Sequence, residues 1–348
     1  MATESLPWTM RVWQYYSTKG GLEKNLRLST SVPLPKPKPD QHLIQVIGIG
    51  LNPVDYKPAE TPLLGRFAIK KPATPGLDMA GRIVIPADNS PLQPGQLVFG
   101  AASANPIAGG GLAGYVAAPA SAIFPITTDV PPLEAAGVPI AAVSAYGSII
   151  PYIKSGSRVF LNGGSGGTGT FGIQLAKAAG AHVTVSCSGR NADLCRSLGA
   201  DEVLDYTARP LLDQLRDATT KPGGRPFDHV VDNVFNDPAL YFQSHTYTTE
   251  NATFVEVAGT FSLAFVRFFL TAHMWPTVLG GGKRKFTLFS ADFKKELIDP
   301  VINGFAAGTF KTVVDRVFPM EEAVEAFKHL KSGRARGKII VNVAGEGQ

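Results

Sequence analysis

The residues whose spacing points most clearly to chemistry are three glycines, Gly164, Gly166 and Gly169. They directly follow a short apolar segment, Arg158 to Asn162, which is predicted to be a strand, and they open a predicted helix that ends near Ala179. Glycines in this context let the backbone turn tightly and approach a pyrophosphate, and the start of the helix presents free N–H groups to it. The segment therefore predicts a dinucleotide-binding site.

The end of the next predicted strand, His182–Cys187, indicates which dinucleotide is bound. An NAD site has an Asp or Glu here for the ribose 2′-hydroxyl, but in this chain Asp193 lies inside the following predicted helix. Ser186, Ser188 and Arg190 stand at the strand end instead. Because hydroxyl and guanidinium groups suit a 2′-phosphate, the sequence predicts NADPH rather than NADH.

The elements that must position these residues alternate between strand and helix from about Pro131 onwards. One Ala-rich helical pattern covers 131–150, and predicted helices separate the strands that follow it. This alternation is typical of a doubly wound parallel sheet. The six predicted strands are Arg158–Asn162, His182–Cys187, Glu202–Tyr206, Asp228–Val234, Thr253–Gly259 and Phe286–Ser290.

The residues on either side of this alternation predict a second domain. The N-terminal part shows short strands separated by Gly and Pro turns, which favour an antiparallel, partly closed β structure. The C-terminus predicts a strand, a helix from Met320, and a last strand, Lys338–Val343, that returns to this domain. We therefore predict an α/β fold class, with one domain from residues 1–130 and 291–348 and a dinucleotide-binding domain from 131–290. The N-terminal strands are His42–Asn52, Gly81–Pro86, Gln96–Gly100 and Gly114–Pro119.

Composition and charge exclude several classes of protein. The 348 residues are 44% hydrophobic and 18% charged, which indicates globular domains with sizeable cores. The net charge of +5 is mild, and the one dense basic cluster, Gly280 to Phe286, has no interleaved aromatic residues, so no nucleic-acid partner is expected. Two cysteines, Cys187 and Cys195, cannot form a disulfide framework and suit a reducing compartment.

The most apolar stretch of the chain, Phe261 to Gly280, is interrupted by Arg267, His273 and Pro276. It is therefore not expected to span a membrane. Two interpretations stay open for Phe261 to Leu279: a lid or core segment whose aromatic residues favour bulky, apolar substrates, or a membrane contact. The N-terminus shows no secretory or transit peptide, so a cytoplasmic protein is the expectation.

Several segments together resemble one known family. "NGGSGGTGTFGIQLAKAAGAHVTVSCSGRNADLCRSLGADEVLDY", "IGIGLNPVDYK", "GLDMAGRIV" and "VDRVFPMEEAVEAFKHLKSGRARGKIIV" are similar to the zinc-free quinone oxidoreductases of the medium-chain dehydrogenase/reductase superfamily. The branch they resemble contains reticulon-4-interacting-like proteins, chloroplast-envelope quinone oxidoreductase homologues and fungal enoyl reductases. The resemblance implies a GroES-like catalytic domain around a Rossmann domain, with the active site in the cleft between them.

The resemblance also indicates that catalytic zinc is absent. Zinc-dependent relatives have an early cysteine and a His-Glu pair, where this chain has Asn52 and Leu77-Asp78. The histidines show no paired ligand spacing, and no cysteine lies outside the cofactor domain. We therefore expect a reaction that does not depend on a metal Lewis acid.

The resemblance implies roles for individual residues. Asn52 matches an Asn near the nicotinamide, Lys57 matches a Lys of the fungal enoyl reductases, and Tyr56 lies one place before a Tyr of the quinone reductases. Arg190 and Tyr206 match the pair that holds the adenosine phosphate. The other implied cofactor residues are Ser144 at the carboxamide, Ser165, Gly167 and Thr168 along the pyrophosphate, Asn233, Val234, Val257 and Gly259 at the nicotinamide, and Phe289 and Ser290 closing the cleft.

The implied reaction is hydride transfer from NADPH to an activated C=C (an enone or enoyl group) or a quinone. Without a metal, a developing enolate oxygen needs hydrogen-bond donors, which Lys57 or Tyr56 could supply. Tyr56 and solvent are the two candidate proton sources. The competing interpretations are a solvated Lys57 and an Asp55 that caps the turn begun by Pro53.

Three functions remain open on the sequence. The first is an enone or quinone reductase. The second is a specialised biosynthetic enzyme on the same scaffold, such as a trans-acting enoyl reductase, a cyclase or a dehydrogenase. The third is a non-catalytic NADPH-binding regulatory protein. The edge strand Phe286–Ser290 also predicts a possible homodimer, because in this family that edge often pairs with a second copy.

Overall fold

The chain folds into two compact units. The computed structural model describes residues 6–345 apart from 62–64, 66, 104–109, 127–129, 258, 260–261 and 292. The first unit comprises Met1–Ile140 and Thr312–Gln348, and the second comprises Ala141–Lys311. Both ends of the chain therefore belong to the first unit, and the second unit is inserted between them.

The first unit is built on β-sheets. One sheet of seven strands has the order β14-β15-β3-β4-β5-β7, with β6 pairing β3, and β1 and β2 form a separate antiparallel pair. The last strand, β15, pairs antiparallel with β3, so the C-terminal strand is part of this sheet. The strands are β1 Thr9–Gln14, β2 Arg27–Pro33, β3 Gln41–Leu51, β4 Asp78–Ile85, β5 Leu97–Ala101, β6 Tyr115–Pro119, β7 Ile123–Pro125, β14 Val314–Pro319 and β15 Lys338–Asn342.

Helices cover this sheet at a few points, and the core lies between them and the strands. The core residues include Ile44, Ile49, Met79, Phe327 and Val341, which are all fully buried. The period-two pattern of the sequence predicts alternation, but β3 and β15 are buried at nearly every position, because the sheet is covered on both faces there. The described helices of this unit are α1 Leu22–Asn25, α2 Lys57–Glu60, α3 Pro132–Ala135 and α11 Ala323–Lys331.

The second unit is a parallel sheet with crossover helices, as predicted. Its strand order is β10-β9-β8-β11-β12-β13, and every pairing is parallel. The order reverses between β8 and β11, which is where ligands bind in folds of this class. The strands are β8 Arg158–Asn162, β9 His182–Cys187, β10 Glu202–Asp205, β11 Phe227–Asp232, β12 Thr248–Glu256 and β13 Lys285–Leu288.

The helices of this unit flank the sheet. Apolar side chains such as Val159, Leu161, Ile173 and Val183 pack between the sheet and the helices with no exposed surface. Parallel strands are covered on both faces, so β8 is buried at all five positions and β9 at five of six, including polar residues such as Thr184 and Ser186. The described helices are α4 Pro139–Ile149, α5 Gly167–Ala178, α6 Ala192–Ser197, α7 Leu211–Thr220, α8 Ala239–Phe242, α9 Leu263–Met274 and α10 Lys295–Ala306.

The helical pattern over 131–150 folds as two helices, α3 and α4, rather than one. Pro139 begins the second of them, and a proline lacks the N–H that a continuous helix would need there. The first helix packs so closely on β3 that a Cβ on Gly50 would lie 2.1 Å from the carbonyl oxygen of Ala136. This contact explains why the first unit extends to Ile140, beyond residue 130.

The other end of the inserted unit lies at Lys311, beyond residue 290. Helix α10 belongs to this unit, and the side chain of Leu297 lies 3.3 Å from the Cβ position of Gly147 on α4. In the described part of the chain, no helix is long and apolar enough to cross a membrane.

Candidate active site

The glycine-rich loop of the second unit lies between β8 and α5. A Cβ on Gly169 would lie 2.2 Å from the carbonyl oxygen of Gly163, and one on Gly164 would lie 2.7 Å from Val185, so packing excludes side chains there. Gly166 differs, because the nearest atom to its Cβ position is 3.5 Å away. The loop therefore has one open glycine immediately before the helix N-terminus, which is the arrangement that a pyrophosphate requires.

A buried polar network supports this loop. The Gly163 N–H donates to Ser186 Oγ (3.0 Å), and the Ser186 hydroxyl donates to Asn162 Oδ1. Asn162 Nδ2 donates to Asp232 Oδ1 (2.8 Å) across to β11. The sequence assigned Ser186, Ser188 and Arg190 to a phosphate. Ser186 is fully buried, whereas solvent reaches Ser188 and Arg190.

Arg190 and Tyr206 follow the ends of the adjacent strands β9 and β10. Arg190 is exposed in the 3-10 turn Gly189–Asn191, and Tyr206 is 52% exposed. Asp205, which sequence reasoning did not consider, lies next to this turn: a Cβ on Gly189 would lie 2.4 Å from its Oδ2. Hydrogen bonds from Thr207 hold the pKa of Asp205 below its usual value, so it is a carboxylate that anchors its own turn.

Two buried carbonyl oxygens near the loop lack partners among the described residues. Asn191 Nδ2 donates to Ser165 Oγ (3.0 Å), and Asn233 Nδ2 donates to the carbonyl oxygen of Asn162 (3.1 Å), but Oδ1 of each Asn is unpaired. Buried polar atoms nearly always have a partner, so these oxygens suit hydroxyl or amide donors of a ligand. Sequence reasoning missed Asn191, although it lies in the segment "SCSGRN" that suggested NADPH.

The structure places the remaining cofactor residues in the second unit. Ser144 is buried in α4, the Val257 N–H donates to the carbonyl oxygen of Asp232 (2.9 Å), and the Phe289 N–H donates to that of Glu256 (2.8 Å). Val234 and Ser290 are exposed at the ends of their strands. The positions 258 and 261, Ala258 and Phe261, lie outside the described residues.

The aromatic residues that the sequence assigned to a pocket wall are largely in the core. Phe265 and Phe268 of α9 are buried against Phe235, Tyr241 and Phe286. The exposed side of α9 is formed instead by Leu263, Val266, Leu270 and Met274, together with Arg267 and His273. The geometry of this helix therefore gives no support to an aromatic substrate pocket.

In the first unit, the predicted catalytic residues lie on one short segment after β3. Asn52 precedes the 3-10 turn Pro53–Asp55, and Lys57 is the first residue of α2 and half-buried. Asp55 Oδ2 accepts from the Asn52 N–H (2.7 Å) and Oδ1 accepts from the Leu77 N–H (2.8 Å). Asp55 thus caps the turn, as one sequence interpretation predicted.

The Asn52 side chain lies in a buried polar cluster with Asp55, Asp78 and Lys338. Burial raises the pKa of Asp55 to about 7 and that of Asp78 to about 6, and it lowers the pKa of Lys338. Sequence reasoning considered Asp78 only as a position that lacks a metal ligand, and it did not consider Lys338 at all. A single charged residue inside each of two apolar strands, "GLDMAG" and "GKIIV", was the available signal.

Tyr56 is held against the core of the first unit. Its ring packs on the core cluster, and Lys331 Nζ lies 5.4 Å from its centroid. Burial and the nearby Glu60 carboxylate raise the pKa of Tyr56. A phenol with a raised pKa is a weaker acid, so this setting does not favour Tyr56 as the proton donor.

A cavity of about 20 Å³ lies beside the turn in the first unit. This volume holds about one water molecule and is far too small for a substrate. Among the described residues, no group of three or more His, Cys, Asp and Glu side chains could hold a metal ion. The residues that line the cavity include Tyr15, Val54, Asp55, Thr74 and Leu77.

Two models of known protein families match parts of this chain. The family model "Alcohol dehydrogenase GroES-like domain" matches residues 38–128, and the model "Zinc-binding dehydrogenase" matches residues 198–341. The first match lies in the β-rich unit, and the second runs from the parallel-sheet unit into β15. The two family models therefore match both parts of the predicted fold.

Curated relatives match nearly the whole chain. The trans-enoyl reductase pgmF of Aspergillus terreus is 42% identical, over 97% of this chain and 98% of the relative. The chloroplastic quinone-oxidoreductase QR1 of Triphysaria versicolor is 31% identical, over 95% of this chain and 98% of the relative.

A solved structure confirms the fold. The quinone oxidoreductase of Coxiella burnetii superposes with a TM-score of 0.82 at 25% identity, over 96% of this chain and 99% of that one. With its β-rich unit, its inserted Rossmann unit and these relatives, the chain is an oxidoreductase of the medium-chain dehydrogenase/reductase superfamily, in the zinc-free branch of enoyl reductases and quinone oxidoreductases.

Proposed function

We propose that this protein reduces the activated C=C bond of an enoyl or enone substrate with NADPH and without a metal. The single observation that carries this proposal is the 42% identity, over nearly the full length of both chains, to a trans-enoyl reductase. The specialised biosynthetic enzyme that the sequence left open, a trans-acting enoyl reductase, is one form of this function.

The residues of the second unit fit NADPH. The open Gly166 and the N-terminus of α5 suit the pyrophosphate. Arg190 is exposed, which leaves its guanidinium accessible to a 2′-phosphate, and Ser188 and Tyr206 supply hydroxyl groups. The buried, unpaired Oδ1 atoms of Asn191 and Asn233 suit ribose or amide donors. These features support NADPH over NADH.

When bound, NADPH supplies the hydride that the β-carbon of the substrate accepts. The electron pair of the C=C bond moves towards the carbonyl oxygen, where the developing negative charge needs a donor. We assign that donor to the Lys57 ammonium, on the first residue of α2. The α-carbon then takes a proton from water, since Tyr56 packs on the core of the first unit and its raised pKa suits it poorly to this step.

A quinone is the second candidate substrate. Relatives named quinone oxidoreductases match 95% of the chain in sequence and 96% in fold, which favours this class. A quinone accepts hydride and proton at its ring carbonyl system, so the same Lys57 donor would serve.

The experiment that tests this function is a reductase assay with purified protein and NADPH. The acceptors are 2-enoyl thioesters, cyclic enones and quinones, followed by loss of NADPH absorbance and by identification of the product. We expect saturated product from the enoyl or enone panel. Tight NADPH binding with no acceptor reduced would contradict the proposal and favour a non-catalytic regulatory protein.

Lys57→Met should lower kcat/KM by about a hundredfold, which is the usual loss when an oxyanion donor is removed. Lys70→Met, at an exposed lysine, is the matched control and should leave kcat/KM unchanged. An unchanged kcat/KM in Lys57→Met would remove Lys57 from the reaction.

We also propose a homodimer and a cytoplasmic location. Strand β13 is at the edge of the described sheet, and helix α9 packs on it through Phe268 and Phe269, which contact Phe286 of β13. The face of α9 that points away from these contacts has an exposed apolar stripe, Leu263, Val266, Leu270 and Met274. A second copy would cover both features. Cys187 and Cys195 are buried and form no disulfide, which suits a reducing compartment.

A further inference from the structure

Four polar side chains from distant parts of the chain meet inside the first unit. They are Asn52 after β3, Asp55 in the adjoining turn, Asp78 at the start of β4 and Lys338 at the start of β15. Asn52, Asp78 and Lys338 are respectively 4%, 0% and 2% exposed. Burial of charged groups on this scale is costly, so the cluster needs close compensation.

The Asn52 amide is completely engaged by this cluster. Lys338 Nζ donates to Asn52 Oδ1 (2.6 Å), and Asn52 Nδ2 donates to Asp78 Oδ2 (2.8 Å) and to the carbonyl oxygen of Gly50 (3.1 Å). Both N–H groups and the oxygen of the amide therefore have partners. The side chain is held in one orientation, and neither amide N–H is left for a ligand.

Lys338 also binds the backbone of the same segment. Its ammonium donates to the carbonyl oxygen of Leu51 (3.1 Å) and lies 3.6 Å from Asp78 Oδ2. The neighbouring residue Ile339 pairs with Leu51 in the ladder between β15 and β3. The C-terminal strand thus fixes the end of β3 through its backbone and the next residue, Asn52, through the lysine side chain.

Charge balance explains why position 338 is a lysine. The Lys338 ammonium faces two buried carboxyl groups, those of Asp78 and Asp55. The Tyr15 phenol lies near Asp55. Asp78 also accepts the Ile140 N–H (3.1 Å), and Asp55 accepts the backbone N–H groups described above. The Lys338 charge compensates Asp78 while it orders Asn52, so one side chain has two separable effects.

Resting on the hydride-transfer function proposed above, we infer that Lys338 is a positioning residue: through Asn52 it holds the turn that carries Tyr56 and Lys57 in its working orientation. Lys57 begins α2 immediately after this turn. A loosened Asn52 would let the turn move, and the Lys57 ammonium would then no longer be held where the substrate oxygen must bind.

The test uses full-length protein saturated with NADPH and three variants, Lys338→Met, Asp78→Asn and the double variant. Lys338→Met should be strongly destabilised in urea, because it leaves the buried Asp78 carboxylate without its positive counter-charge. The double variant removes both charges and should recover most of the stability. It still lacks the donor to Asn52 Oδ1, so it separates positioning from stability.

For the double variant we expect kcat for the enone to fall about tenfold, while the Kd for NADPH stays within about twofold of wild type. Backbone amides of residues 51–61 should exchange with deuterium about tenfold faster, since their anchor is lost. Wild-type turnover and exchange in the stable double variant would overturn the inference. So would a double variant that cannot fold, because Lys338 would then be needed for folding itself.

The two proposals fail in different ways. If the wild-type protein reduces none of the acceptors, the proposed function is refuted and no kcat can be measured. The exchange measurement over residues 51–61 still decides whether Lys338 holds the turn. An active wild type with unchanged exchange in the double variant refutes the inference alone.

Discussion

At the scale of single residues, the structure separates side chains that are already engaged from those that can bind a ligand. Ser186 and Asn52 are both candidates on the sequence, yet each is buried with its hydrogen-bonding groups engaged inside the protein. Arg190 is exposed and Asn191 keeps one unpaired oxygen. Residue type and spacing do not show this difference, because it depends on what lies opposite each side chain.

The prediction that the protein binds NADPH rather than NADH depends on Arg190. Arg190→Ala should raise the KM for NADPH about tenfold or more and leave that for NADH unchanged, since only NADPH has the 2′-phosphate that a guanidinium binds. Steady-state kinetics with both cofactors measure this. Arg196→Ala, at an exposed arginine of α6 paired with Asp193, is the control and should change neither value. Equal effects of Arg190→Ala on the two cofactors would contradict the assignment.

At the scale of elements, α9 shows where sequence interpretation was incomplete. Leu263, Val266, Leu270 and Met274 recur on one face of this helix and are all exposed, with Leu263 at 91%. The aromatic residues of the same helix pack into the core. The sequence showed that the stretch is apolar, but the face that each residue occupies depends on the sheet beneath it.

This exposed stripe leads to a prediction about oligomeric state. The wild-type protein should have twice the mass of the 36.9 kDa chain by light scattering, because a second copy covers the stripe and the edge of β13. Val266→Glu combined with Leu270→Glu should yield a monomer. Lys328→Glu on α11 changes the net charge by the same amount and should stay dimeric. A monomeric wild type at concentrations of tens of micromolar would refute the dimer.

At the scale of the whole molecule, the buried cluster links stability to pH. The pKa of Asp55 is raised from 3.8 to about 7, so the folded protein keeps a proton that the unfolded chain releases. Its contribution to stability is therefore complete below about pH 4 and is lost as pH rises towards 7. The pKa of Asp78 is raised to about 6, so its contribution to stability is likewise lost as pH rises towards 6. His229, whose pKa burial lowers to about 4, acts in the opposite direction below its usual pKa.

Urea denaturation between pH 5 and pH 8 tests this linkage. The free energy of unfolding of the wild type should fall relative to that of Asp55→Asn as pH rises to about 7, and the difference should be constant above that. The Asn variant has no titrating group at this position, so the comparison cancels the contribution of His229. A difference that does not change with pH would show that Asp55 is ionised throughout the range.

The sequence by itself predicted the α/β fold class, the alternation of strands and helices in a parallel sheet, and the glycine-rich dinucleotide loop. Those features depend on local patterns: apolar periodicity, glycine spacing, and the residues at strand ends. The return of the C-terminal strand was also predictable, because strands flank the alternating segment at both ends of the chain.

Only the tertiary structure decided how the groups around the proposed active site are held. Lys338 and Asn52 are 286 residues apart in sequence, and their 2.6 Å contact exists because β15 pairs with β3. The tertiary structure also buries Asp78 completely, and this burial raises its pKa to about 6. Such contacts depend on which strands become neighbours. Local periodicity in the sequence predicts where strands form but not which strands pair.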